Sequence, residues 1–371
     1  MINIIIGFFI FCIVLFFYLH IQFHLKTSND LEIYEVEYPS KEAIEEICDL
    51  RQPVLFNMDD DNSNAIINNT NKDYMLKRYS TFDINIRNYP NITEDIELYL
   101  PVHLSIANEL FNKDKKSMYY SENNMEYLTE TGIIKNFTHN DTFLRPYLVS
   151  NCDYDIMLGS TNTITPLKYE INYRTFFMIT QGSIDVKLIP PNSSKYLHQN
   201  KDYEHFEFSS PINVWSIQPK YETDFDKIKS LEITLTPGKI LFIPAYWWYS
   251  FKFSPETSIS CFRYRTYVNN IVISPNIFMY ALQNQNIQKK FTKTSTDNTL
   301  LNTIHNSKIA IVEPTNDILQ TTSTSISTNN NENNENKQLD NSNVISIDAK
   351  NVKFTEDDIS KTDNSSQNEK N

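Results

Sequence analysis

The chain has 371 residues, with 46 acidic against 33 basic side chains, a formal charge of −13, and only five glycines and seven histidines. The acidic balance argues against a nucleic-acid-binding surface, which needs clustered Lys and Arg, so no nucleic-acid partner is expected. No two of the five glycines lie within six residues of each other, which excludes a glycine-rich phosphate loop.

At 40% hydrophobic and 13% aromatic content the chain can bury a large core. Cys12, Cys48, Cys152 and Cys261 have no CxxC spacing, and one of them lies in an apolar N-terminal run. They describe neither a disulfide framework nor a zinc site.

In chain order, the first predicted element is that apolar run. Residues 4–19 carry no charged side chain, and the apolar character continues to Leu25, just before Lys26. Roughly 20 residues suffice to cross a bilayer. With no Lys or Arg ahead of the core and no small-residue cleavage site after it, residues 1–25 read as an uncleaved single-pass anchor rather than a signal peptide. Lys26 alone is too little to orient it, and the sequons at Asn68, Asn91, Asn136, Asn140, Asn192 and Asn364 are expected by coincidence in an Asn-rich chain.

Beyond the anchor, Leu31 to Tyr38 alternates like a strand, and a helix follows with Ile44, Ile47 and Cys48 on one face and Ser40 as its cap. Ile184, Val186 and Leu188 share one face of a strand, as do Leu231, Ile233 and Leu235. Further apolar runs lie at 240–244 and 258–268. Ser274-Pro275 opens a closing helix through Lys290, with Phe278 and Leu282 four apart. Short strands at turn-like spacing, with a helical preface and a closing helix, predict a mainly β domain, a sandwich or jelly roll with helices packed outside. From Thr292 onward polar low-complexity sequence cannot bury enough apolar area to offset its ordering entropy, so residues 291–371 read as a disordered tail.

Two segments carry more specific information. Gly159 to Pro191 holds Gly159-Ser-Thr161, Thr165-Pro-Leu-Lys168-Tyr169-Glu170, Gly182 and Leu188-Ile-Pro-Pro191; Leu235 to Ser250 holds Pro237-Gly-Lys-Ile-Leu-Phe-Ile-Pro244 and Trp247-Trp248-Tyr249. In order and spacing they resemble the JmjC-type, cupin-like 2-oxoglutarate oxygenases, nearest to the branch that contains a protein asparaginyl hydroxylase. The resemblance covers residues 31–290 and implies a double-stranded β-helix of the cupin/JmjC type. Gly159, Gly182 and Gly238 fall on its turn positions.

The same resemblance implies Fe(II) held by two histidines and one carboxylate, with positions left open for 2-oxoglutarate and oxygen. The His-x-Asp/Glu pair suits a strand because its period of two aims both side chains into the barrel. Here the pair reads Lys168 and Glu170, and the distal histidine is Tyr249. A protonated lysine has no lone pair to give, and a neutral phenol is a poor Fe(II) ligand. The co-substrate lysine becomes Ile184, and Thr165 alone matches a 2-oxoglutarate-holding position. Lys168, Glu170 and Tyr249 therefore read as vestigial metal-site positions, with a Lys168–Glu170 ion pair standing in for the metal and Tyr249 donating to Glu170. No metal and no cofactor are expected.

His198 and His205 sit in a loop between the motif segments, and the other five histidines lie away from the metal positions. The acidic run Asp59-Asp60-Asp61 lacks the glycine and closing glutamate of a calcium loop. Trp247 and Trp248 read as core aromatics. The expectation is a membrane-anchored pseudo-oxygenase that binds or scaffolds a peptide or protein partner. Its alternatives are an active Fe(II)/2-oxoglutarate-dependent hydroxylase with an atypical site, and a structural membrane or particle component.

Overall fold

A computed structural model describes residues 2–58, 61–88 and 99–287. The tail expected over 291–371, the last residues of the closing helix, Asp59 and Asp60 of the acidic run and the sequons at Asn91 and Asn364 lie outside the described residues.

Helix α1 (Ile2–Leu25) is apolar from Ile4 to Leu19, carries the polar His20, Gln22 and His24 in its last turns, and has no fully buried residue. At about 1.5 Å per residue its 24 residues reach ~36 Å. By length and composition it is a candidate membrane span. Then follow β1 (Tyr34–Val36), α2 (Lys41–Cys48), β2 (Val54–Asn57), α3 (Asp61–Thr70), α4 (Lys72–Tyr79), β3 (Asp83–Asn88), β4 (Leu100–His103), α5 (Leu104–Lys113), β5 (Tyr119–Ser121), α6 (Met125–Glu130) and α7 (Ile134–Asn140). Ser40 caps α2 by accepting from the Ala43 N–H at 3.2 Å, and Ile44 and Cys48 are buried beneath it.

The second half is mostly strand: β6 (Val149–Gly159), β7 (Leu167–Tyr169), β8 (Arg174–Gln181), β9 (Ile184–Ile189), β10 (Asn200–Asp202) and β11 (Glu207–Ser210). The short α8 (Glu222–Phe225) precedes β12 (Leu231–Leu235), β13 (Lys239–Ile243), β14 (Trp248–Phe253) and β15 (Ser258–Thr266), and the described chain closes on α9 (Tyr267–Val272) and α10 (Ser274–Ile287).

Among the described residues the strands form two sheets, ordered β1-β2-β13-β8-β15-β6-β5-β3-β4 and β10-β11-β7-β14-β9-β12. They face each other as a double-stranded β-helix. Period-two alternation splits the large sheet cleanly. Val54, Phe56, Phe176, Met178, Phe262 and Tyr264 point outward to a core shared with helices α2 to α7. Leu55, Phe177, Ile179, Ile259 and Cys261 point inward to Ile184, Val186, Leu188, Tyr249 and Phe251 of the small sheet. Strands covered on both faces need apolar residues at successive positions, which is why β8 and β13 read as runs rather than as alternation.

Two local expectations change. Leu31 to Tyr38 yields a strand of only three residues, paired in parallel with β2. The closing helix begins at Ser274 as expected, but a separate short helix, α9, precedes it, and Phe278 and Leu282 face away from the core.

Candidate functional site

The site lies at the mouth of the barrel, where three short strands run side by side. β7 pairs with β11 on one edge and β14 on the other, which sets Tyr249 directly across from Lys168. Glu170 follows β7 by one residue, two on from Lys168, and its carbonyl accepts from the Tyr246 N–H at 2.9 Å. From the facing sheet, β15 contributes Arg263 and Arg265. Both lie on the face that carries Ile259 and Cys261 deeper in the barrel. A pocket of about 200 Å³ opens between them, lined by Lys168, Glu170, His205, Glu207, Arg263 and Arg265 among others.

Lys168, Glu170 and Tyr249 thus come together, and Tyr249 donates to Glu170 as expected, but the two charged residues take other counter-charges than each other. Lys168 Nζ meets Glu122 Oε2 at 2.5 Å. The other oxygen of Glu122 accepts from Arg87 at 2.8 Å and from the hydroxyls of Tyr99 and Tyr120, each at 3.1 Å. Arg87 continues to Glu207 through two bonds of 2.6 and 3.0 Å. Glu170 is held by four donors: Tyr249 Oη (2.8 Å) and Arg263 Nε (2.9 Å) on one oxygen, Asn172 (2.9 Å) and Thr175 (3.0 Å) on the other. The direct Lys168–Glu170 pair is replaced by Lys168–Glu122 and Glu170–Arg263, because the facing sheet offers each a closer counter-charge.

The electrostatics follow from those contacts. Burial disfavours ionisation of Glu170, but Arg263, Lys168 and the Tyr249 hydrogen bond outweigh it and hold the carboxyl at about 2. Glu122 is likewise pulled below the usual carboxylate range by Lys168 and Arg87 against its full burial. Lys168 is desolvated too, yet Glu122 and Glu207 raise its pKa and keep it an ammonium. Burial and the Glu170 charge push the Tyr249 phenol well above its ordinary value, so it is neutral. Of the three motif positions, only Glu170 offers a lone pair suited to Fe(II), and that carboxylate is already fully engaged. Among the described residues no three His, Cys, Asp or Glu side chains converge as a metal site.

Thr165 is buried beside β14. Its hydroxyl accepts from the Phe251 N–H at 2.9 Å, while its own N–H donates to the Phe251 carbonyl at 2.8 Å. Ile184 is wholly buried in the barrel core. The interior below the mouth is packed with rings: Phe177 lies 5.3 Å from Tyr249 and 4.8 Å from Phe251, centroid to centroid. Trp247 and Trp248 are fully buried, Trp247 in the barrel core and Trp248 on the outer face of the small sheet. His198 and His205 sit in turns, each beside an aspartate, and His205 additionally lines the mouth.

The fold and the motif strands together place the chain, and residues 39–270 match the family described as the cupin-like domain. This protein belongs to the JmjC-type cupin-like domain family. The cupin-like domain is similar to HSPB1-associated protein 1 of Rattus norvegicus, Mus musculus and Homo sapiens, 30% identical over 95 residues in each case. That stretch is 25% of this chain and 20% of each relative, so the match spans a fifth of the relatives' length.

Sequence reasoning missed Glu122, Arg87, Arg263 and Glu207, which pair with Lys168 and Glu170 or with each other at the cupin-like domain's mouth. One signal was available. Arg263 occupies an inward register position in an otherwise buried strand, and a charge there demands a buried partner. Which partner it takes is a matter of tertiary closure.

Proposed function

We propose that this chain is a single-pass membrane protein whose cupin-like domain binds a protein or peptide partner at the barrel mouth and carries out no Fe(II)/2-oxoglutarate chemistry. The observation that carries this reading is the state of the family's metal positions: a lysine and a neutral tyrosine stand where imidazoles belong, and the remaining carboxylate is saturated by four donors. These residues do not fit the metal. The aromatic packing around Tyr249 and the apolar Ile184 supply no carboxylate-binding partner for a co-substrate. The anchor reading is supported by α1, which is long enough to cross a bilayer and whose apolar stretch is unburied.

A binding role is supported by what remains unspent at the mouth. Arg265 places its Nε on Asn172 at 2.8 Å and its guanidinium over the Phe206 ring at 5.4 Å. Its terminal nitrogens make no hydrogen bond or ion pair among the described residues. An acidic side chain of a partner would pair there. The name of HSPB1-associated protein 1 describes that relative as associated with another protein, which favours the same class of ligand.

The test is iron analysis and 2-oxoglutarate decarboxylation on the full chain purified in detergent with added Fe(II), together with peptide display on the same protein. The reading expects no stoichiometric iron, no turnover, and acidic peptides whose binding is lost on Arg265→Glu. Turnover abolished by Glu170→Ala would overturn it in favour of the hydroxylase. Neither turnover nor any peptide sensitive to Arg265 would leave a structural role instead.

A further inference from the structure

Large apolar side chains stand exposed beside the end of α1. Tyr147 and Leu148, in the turn before β6, are 67% and 76% exposed, and Tyr267 and Ile271 on α9 are 65% and 45% exposed. Leu148 has φ +54°, a left-handed backbone that a bulky residue rarely adopts, and this conformation holds its side chain out in the open. Its carbonyl accepts from the Tyr267 N–H at 3.3 Å, which ties the turn to the start of α9. The two segments form one apolar ledge.

That ledge lies beside the anchor. A cleft of about 510 Å³ separates it from α1 and is lined on the helix side by Leu19, His20, Phe23 and His24. The last turn of α1 is fastened to the domain, with the His24 ring 5.1 Å from Tyr173 and the Arg51 guanidinium 5.2 Å from the Phe23 ring. Roughly 20 residues of helix cross ~30 Å of hydrocarbon, so a span that starts at Ile2 reaches the boundary near Leu19 to Phe23. Tyr147 and Leu148 face those same turns of α1 across the cleft. Tyrosine is the side chain favoured there, because its ring is apolar and its hydroxyl reaches water.

We infer that Tyr147, Leu148, Tyr267 and Ile271 form a membrane-interface foot, inserting into the headgroup boundary of the bilayer crossed by α1 and seating the domain against the lipid. This rests on the anchoring reading proposed above. The foot adds a second attachment, which fixes the tilt of the barrel relative to the membrane where a lone helix with a flexible joint would not.

The experiment is spin-label accessibility on the full chain reconstituted in phosphatidylcholine vesicles. Labels are placed on native Cys12 and, in a Cys12→Ser, Cys152→Ser background, on Leu148→Cys, on Tyr267→Cys and on the exposed Lys113→Cys as aqueous reference. The expected result at 148 and 267 is a collision rate with oxygen several-fold above that at 113 and a rate with a water-soluble nickel chelate several-fold below it. Nickel accessibility equal to that at 113 would overturn the foot, and shielding from both reagents would overturn it in favour of a protein surface or a second copy. Cys12 separates the two readings: lipid accessibility there with an aqueous 148 defeats the foot alone, whereas an aqueous Cys12 defeats the anchor.

Discussion

Glu122 is the side chain on which the mouth's charge balance turns. It is fully buried, and Lys168 and Arg87 both depend on it. Removing one partner of a buried pair leaves the other uncompensated, at about 3–5 kcal/mol. Lys168→Ala leaves Glu122 with Arg87 and two hydroxyls, so it is expected to destabilise the domain by less than that in denaturant unfolding, and Lys168→Ala with Glu122→Gln by less than the sum of the single changes. Strict additivity would show that the pair is not coupled.

Two neighbouring carboxyls respond to pH in opposite senses. Asp155 accepts from the backbone N–H groups of Asn123 and Asn124, but its burial wins and raises its pKa to about 6. The folded state therefore holds a proton that the unfolded chain releases near 3.8. Its contribution, on the order of 3 kcal/mol, is fully present below that value and is lost as pH rises through about 6. Glu170, held at about 2, contributes above 4.5, and that contribution disappears as pH falls through about 2. Unfolding of wild type and Asp155→Asn across pH 3.5 to 7 is expected to show the wild-type advantage shrinking between about 4 and 6, and a constant difference would exclude this assignment.

At the scale of elements, the turns that carry the chain from one sheet to the other distinguish two glycines. Gly182 has φ +69°, and a Cβ there would lie 2.7 Å from the Thr257 hydroxyl and 2.8 Å from the Thr257 Cα. Gly238 has φ +86° but open space around it. A left-handed backbone costs an L-residue roughly 1–2 kcal/mol, and overpacking against backbone adds about 1–3 kcal/mol. Gly182→Ala is expected to lower the unfolding midpoint clearly more than Gly238→Ala, and equal effects would count against the close approach of β8, β9 and β15. The strands themselves were legible, since Ile184, Val186 and Leu188 alternate in the chain as they do in the barrel. The exposure of Phe278 and Leu282 was not, because a pair four apart marks a helical face without saying what, if anything, covers it.

At the scale of the molecule, the apolar helix and the folded domain impose separate solubility demands. A chain that keeps α1 is expected to stay with the membrane pellet through an alkaline carbonate wash and to leave it only with detergent. Release by carbonate alone would mean that α1 does not span. If the foot also engages, Leu148→Asp should leave carbonate resistance intact while it increases protease access at the junction around residues 26–30, a combination that loss of the anchor would not produce.

The sequence by itself determined the apolar N-terminal run, the β-rich class, the family and the residues at the three motif positions, a replaced Lys168 and Tyr249 and a retained Glu170. Each is written in local periodicity or in short ordered motifs, and each survives without knowledge of what lies across the barrel. Only the tertiary structure decided the partners. Glu122 is 46 residues from Lys168 in the chain, and Arg263 is 93 from Glu170. Closing one sheet over the other brings them within hydrogen-bonding distance, where desolvation makes each charge choose its nearest opposite, and no local pattern encodes that choice.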